Sequence, residues 1–181
     1  MISPELLTLV KKQDQKACKQ VFDLFAGRLL AIAKRYLGDG PEAEDASTMA
    51  FVKIFQNAGK TDFPNPGAFV GWMKRIVINE SLMLLRKRSS FKMVPDDELR
   101  HVSIEPDAIQ KLTAAEIMDI VKELPVGYRT VFSLYVVEGY THKEIAKELG
   151  ISEGTSKSQL NHAKKLLRTK MLKAYGKEAR Y

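Results

Sequence analysis

The chain has 181 residues, enough for one medium domain or two small ones, and its 45% hydrophobic content suits a folded protein rather than a disordered one. The formal net charge is +7, with basic residues crowded at 86–88 and 157–180, so nucleic acid is the default partner. No long apolar run and no charged-then-apolar N-terminal pattern occurs, which argues against membrane insertion and for the cytoplasm, while a single cysteine, Cys18, and three scattered histidines exclude an internal disulfide and any zinc spacing.

The first apolar residues, Leu6, Leu9, Val10, Val21, Phe22, Phe25, Leu29, Ile32, Ala33 and Tyr36, fall at helical intervals broken by a polar patch at 11–15, which predicts two helices. Cys18 on the second reads as a buried small hydrophobe. Gly38, Asp39, Gly40 and Pro41 punctuate the chain, and a third helix is expected from Pro41 or Glu42 to about Asn57, acidic in its first turn as the helix dipole prefers. Residues 58–67, with Gly59, Asp62, Pro64, Asn65 and Pro66, read as an exposed loop. A fourth, amphipathic helix follows, with Phe69, Trp72, Met73, Ile76, Val77 and Leu84 on one face, a cationic edge of Lys74, Arg75 and Arg86, and an end near Ser89. Trp72 reads as a core residue rather than a base-stacking one.

Periodicity vanishes between Ser89 and Gln110, where Pro95, Asp96, Asp97, Glu98, Pro106 and Asp107 accumulate in the composition of a linker. Beyond it, Thr113 and Glu116 form a capping box for a helix to about Leu124, Pro125 breaks it, and residues 127–137 are expected to form the next helix. Thr141 with Glu144 is a second capping box, starting a helix at His142 whose Ile145, Ala146 and Leu149 turn inward and which ends at Gly150. Ile151 plugs the corner, and Ser152 is the N-cap of a basic helix whose Leu160, Ala163, Leu166 and Leu167 repeat at helical spacing. This is a helix-turn-helix, with Ala146 small enough for a close crossing and Gly150 permitting the turn. The expected fold is therefore all-α: two small helical domains at 1–90 and 111–181, the second carrying the helix-turn-helix, joined by a flexible acidic linker at 91–110.

The exposed face of the last helix offers hydroxyls, amides and cations, the groups that reach base edges and phosphates in a major groove. An ordinary αα-hairpin with a solvated basic face is the competing reading. No Gly-rich phosphate loop, His-Glu-x-x-His, nucleophile elbow or calcium loop is present, so an enzyme, a cofactor and a resident metal are not expected. Asp96, Asp97 and Glu98 read as a solvated charge run.

Two blocks make the chain resemble a bacterial RNA polymerase sigma factor of the small, two-domain extracytoplasmic-function class. The first comprises Arg28-Leu29-Leu30-Ala31-Ile32-Ala33, Ala43-Glu44-Asp45-Ala46, Phe51-Val52-Lys53-Ile54-Phe55 and Phe69-Val70-Gly71-Trp72-Met73-Lys74-Arg75-Ile76, ending in Asn79 and Arg86-Lys87-Arg88; it is similar to the family's region two. The second, from Leu124-Pro125 through Gly127-Tyr128-Arg129, Glu138-Gly139-Tyr140-Thr141 and Ile151-Ser152-Glu153-Gly154-Thr155 to Leu167, looks like region four.

The resemblance implies a protein that binds core RNA polymerase and directs initiation at promoters with minus-ten and minus-thirty-five elements. Its partners would be promoter DNA, the clamp helices and flap of polymerase and, for many members, an anti-sigma protein; the free chain would be a monomer. Asp45, Thr48, Phe51 and Phe55 would contact polymerase, and Lys74, Arg75, Asn79 and Arg86 the melted minus-ten strand. Lys157, Gln159, Asn161 and His162 would contact bases or groove, and Thr155, Ser158 and Lys164 phosphates, with Lys165 and Arg168 as extra contacts. The alternative is a repressor or activator acting on duplex DNA without polymerase. The chain departs from the family pattern at Thr48, Met49, Ser156, Gln159 and His162; fewer cations in the last helix imply weaker backbone attraction and a shallower salt dependence.

Overall fold

A computed structural model of the protein describes residues 2–87 and 113–175. The chain divides into two compact units, residues 1–88 and 89–181. The expected linker at 91–110, with Asp96, Asp97 and Glu98, lies outside the described residues.

The first unit contains α1 (Pro4–Lys11), α2 (Gln15–Leu37), α3 (Pro41–Asn57), a 3-10 turn (Ala58–Lys60) and α4 (Pro66–Lys87). Local chemistry sets each start. Ser3 Oγ accepts the amide of Leu6 at 3.2 Å, and Asp14 Oδ1 accepts that of Ala17 at 2.8 Å, so each cap satisfies an amide that the helix itself leaves open. Helices α2, α3 and α4 pack on one another, and α1 packs on α2 and the 3-10 turn. Val21, Phe25, Leu29, Tyr36, Ile54, Phe69, Met73, Val77, Leu82 and Leu85 form the core, each large apolar side chain contributing about 1.5–3 kcal/mol on burial. The 58–67 segment is less irregular than its composition suggests. Ala58 is fully buried in the 3-10 turn, and Asn65 Oδ1 accepts the amide of Ala68 at 2.9 Å to open α4 at Pro66.

The second unit contains α5 (Ala114–Lys122), α6 (Val126–Phe132), a π-helical turn (Ser133–Val137), α7 (His142–Leu149) and α8 (Glu153–Tyr175). Both capping boxes form, at Thr113 with Glu116 and at Thr141 with Glu144. The helix expected over 127–137 changes pitch instead: Glu138 N donates to Ser133 O at 3.0 Å, an i to i+5 bond, and Tyr140 N closes the segment on Leu134 O at 2.9 Å. The widened turn leaves Tyr135, Val136 and Val137 exposed while Ser133 and Leu134 stay buried. Helix α8 packs on α5, α6 and α7, so it is both the spine of this unit and its exposed basic surface. Among the described residues there is no strand, and no helix is long and apolar enough to cross a membrane.

Candidate nucleic-acid interface

The turn between α7 and α8 is built as the sequence anticipates. Gly150 takes the left-handed conformation at φ 67°, its amide bonding Ala146 O, and Ile151 N donates to the same carbonyl at 3.0 Å. Both bonds fall on the one carbonyl of Ala146, near the end of α7, and turn the chain within two residues. Ser152 Oγ then accepts the amide of Thr155 at 2.9 Å and starts α8.

At about 100° per residue, Lys157, Asn161, Lys164 and Arg168 fall within about 60° of arc on α8. The first three are exposed and Arg168 is half-buried. Lys165 is exposed beside this stripe; Ser158 is half-buried about 60° beyond its edge, and Thr155, also half-buried, lies about 120° from it in the first turn of the helix. Ser158 Oγ donates to Thr155 O at 3.1 Å, the back-bond typical of a helical serine.

Gln159 does not belong to the exposed stripe. It is 2% exposed and lies on the core side of α8 near Ser156, Leu160 and Ala163, all buried. The structure thus does not bring it together with the other expected base contacts: its position lies roughly opposite Asn161 on the helix, at about 160° of arc. His162 is half-buried, its ring stacked on Tyr128 with centroids 5.7 Å apart, which makes it a packing residue between α8 and α6 rather than a freely presented groove contact. Helical counting was the signal that could have placed Gln159, since the spacing of four and then three residues in Ser156, Leu160 and Ala163 defines the inward side.

Sequence reasoning passed over His142. Its Nδ1 lies 2.9 Å from Ser156 Oγ, and its ring stacks on Tyr135 with centroids 4.5 Å apart and planes 22° from parallel. One imidazole thus joins the start of α7, the π turn and the first turns of α8. Burial and then the neighbouring Lys157 hold its pKa below the ordinary 6.5, with Lys164 acting the same way and Glu153 opposing.

In the first unit, Arg75, Asn79 and Arg86 are exposed and share about 40° of arc on α4, while exposed Lys74 points some 100° away. Trp72 lies near the first stripe. It is half-exposed at one edge of an aromatic cluster, 5.1 Å from Phe63 and 5.8 Å from Phe69 between centroids, so only part of it is core. Lys11 reaches this cluster from α1, 5.9 Å from the Phe63 ring centre, and its ammonium lies 3.4 Å from Asp62.

Between α2 and α3 runs a groove of about 240 Å³ lined by Phe22, Ala26, Leu30, Glu44, Thr48 and Phe51. Phe22 is 45% exposed and its ring lies tilted against that of Phe51, which is buried, with centroids 4.7 Å apart. Met49 and Val52 on α3 are also exposed. Thr48 and Phe51 are thus brought together, with Phe51 as the floor rather than a protruding contact. Phe55 instead borders a second hollow with Gln13, Gln15, Cys18 and Gln56, and exposed Asp45 lines neither. Cys18 is half-exposed there, not buried as expected, because its position on α2 faces the hollow; partial burial raises its thiol pKa. Among the described residues no group of His, Cys, Asp or Glu could hold a metal ion.

A helix-turn-helix with a cationic stripe in one unit, and a cationic helix beside an apolar groove in the other, define a two-part DNA-binding and protein-binding molecule. The family model for Sigma-70 region 2 matches residues 21–91, and that for Sigma-70 region 4 matches residues 114–167. The RNA polymerase sigma-E factor of Streptomyces avermitilis is 31% identical over 144 residues, covering 79% of this chain and 78% of that one. The ECF RNA polymerase sigma factor SigE of Mycolicibacterium smegmatis is 29% identical over 154 residues; the match takes in 82% of this chain and spans 59% of that protein's length. The fold is similar to that of CnrH in its complex with the cytosolic domain of CnrY, with a TM-score of 0.50 and 21% identity over 93% of this chain and 96% of that one. The chain belongs to the sigma-70 family of RNA polymerase sigma factors, in its extracytoplasmic-function class.

Proposed function

We propose that this chain directs initiation by placing core RNA polymerase on promoters, the unit within 1–90 engaging polymerase and the minus-ten element and the unit within 111–181 reading the minus-thirty-five element. The observation that carries the reading is the order of the two matches, region 2 before region 4, with the α8 stripe of Lys157, Asn161 and Lys164 left open. Helix α8 docks in the major groove, its lysines neutralising phosphates and Asn161 presenting an amide to base edges. Ser158 beside the stripe and Thr155 in the first turn of α8 serve as phosphate contacts.

On α4, Arg75, Asn79 and Arg86 track the separated strand, Lys74 meets phosphates from the adjacent side, and the exposed edge of Trp72 offers a face on which an unstacked base can rest. The groove floored by Phe51 and edged by Phe22 and Thr48 takes a polymerase helix, with Asp45 and Phe55 at its flanks. An anti-sigma protein would compete for that apolar surface. The free chain is a cytoplasmic monomer without catalytic chemistry of its own; bond formation belongs to polymerase. Two weak DNA contacts on one tether act together once polymerase fixes their separation.

Run-off transcription with bacterial core polymerase tests this reading, comparing the full chain with one lacking residues from Leu112 onward. Specific initiation with the full chain alone is the expected result; equal initiation by both chains, or none by either, refutes it.

A further inference from the structure

We propose that His142 is a proton-gated phosphate contact: neutral in the free protein and protonated against promoter DNA, it makes minus-thirty-five recognition tighten as pH falls. The inference rests on the docking of α8 in the major groove and adds a residue from outside α8.

The geometry supports it in three ways. The ring is held by two restraints, the Ser156 hydroxyl at Nδ1 and the Tyr135 ring face, so its orientation is set before DNA arrives. With Nδ1 directed at Ser156, Nε2 is the ring nitrogen left to meet a phosphate oxygen. His142 is also within electrostatic reach of the docking face: Lys157, Lys164 and Glu153 of α8 act on its charge, and Tyr135 of the π turn stacks on its ring. A phosphate approaching those lysines therefore comes near the imidazole as well.

The same surroundings supply the gate. Burial and the two lysines keep the free imidazole neutral at physiological pH. A bound phosphate offsets the lysine charges and adds an acceptor, and both changes raise the histidine pKa. The Tyr135 face favours the cation that forms. By linkage, the complex takes up a proton: affinity rises as pH falls through the bound-state pKa and levels off below the free-state value. Ser156 matters because its buried hydroxyl gives Nδ1 its partner.

The test uses the full chain with core polymerase and promoter DNA, measuring the dissociation constant from about pH 8 to about pH 5.5 for wild type, His142→Gln and His142→Lys. His142→Gln retains a group able to bond Ser156 but cannot titrate. Wild type is expected to gain about five- to tenfold more affinity than His142→Gln over this range, the increment due to one charge-assisted bond. Its salt slope should steepen by about one relative to that variant at the acidic end. His142→Lys should bind tightly throughout without the increment. Identical pH profiles for wild type and His142→Gln overturn the inference. A promoter with a scrambled minus-thirty-five element, binding as well as the intact one, overturns instead the docking of α8 on which it rests.

Discussion

Lys53 Nζ lies 2.6 Å from the Glu80 carboxylate, tying α3 to α4, with the Glu80 side chain only 7% exposed and that of Lys53 42% exposed. The carboxylate is the desolvated partner and the ammonium the one that keeps contact with water. Removing one end is therefore not equivalent to removing the other. Lys53→Met strands a buried charge and should cost about 1–3 kcal/mol, below the full penalty of a deeply buried pair because water still reaches the site. Glu80→Gln removes that charge and should cost less. Urea unfolding of both variants checks the asymmetry, and equal losses would contradict it.

Gln159 and Lys157 sit two residues apart on α8 and should fail differently. Gln159→Ala removes packing from a 2% exposed position and is expected to lower the stability by about 1–3 kcal/mol without changing which base is preferred. Lys157→Ala should leave the stability within about 0.5 kcal/mol of wild type and weaken promoter binding, with the salt slope reduced by about one. Thermal melts paired with binding isotherms on single-base promoter variants separate the two. A changed base preference in Gln159→Ala, with stability intact, would count against its core placement.

Gly59 is exposed yet cannot accept a side chain. A Cβ built there would meet Lys11 O at 2.6 Å, a backbone atom that yields only if α1 moves off the 3-10 turn. Gly59→Ala should therefore destabilise the first unit by about 1–3 kcal/mol, whereas Gly71→Ala, with open space at its Cβ and a helical position to favour alanine, should stabilise by roughly 0.5–1 kcal/mol. Opposite shifts in denaturant midpoint are expected.

Gly150 and Thr141 bracket α7 and govern the helix-turn-helix from its two ends. Gly150→Ala forces a side chain into φ 67° at a cost of about 1–2 kcal/mol, and Thr141→Ala removes the capping hydroxyl at a cost of about 1 kcal/mol. Both changes should raise amide exchange throughout α7 and leave α2–α4 at wild-type protection. Uniform acceleration across both units would show that they unfold together.

Helical periodicity and capping chemistry act within a few residues, so the sequence by itself determined the starts and stops. Thr113 with Glu116, Thr141 with Glu144, Ser152 and Gly150 mark ends that the structure realises. The cationic stripe of α8 was legible for the same reason. What tertiary structure decided was which polar residues of that helix face outward and which pack. Gln159 goes inward because α5, α6 and α7 all pack on α8, and the face they cover is wide enough to bury polar positions that a solvated helix would display. Phe22 stays exposed for the converse reason, standing at a groove edge that nothing in its own unit covers. The π turn also lies beyond local reading, since Ser133–Val137 changes pitch to keep Leu134 buried while Tyr135 reaches the imidazole of His142. Such contacts depend on residues brought together from separate helices, and hydrophobic period carries no record of them.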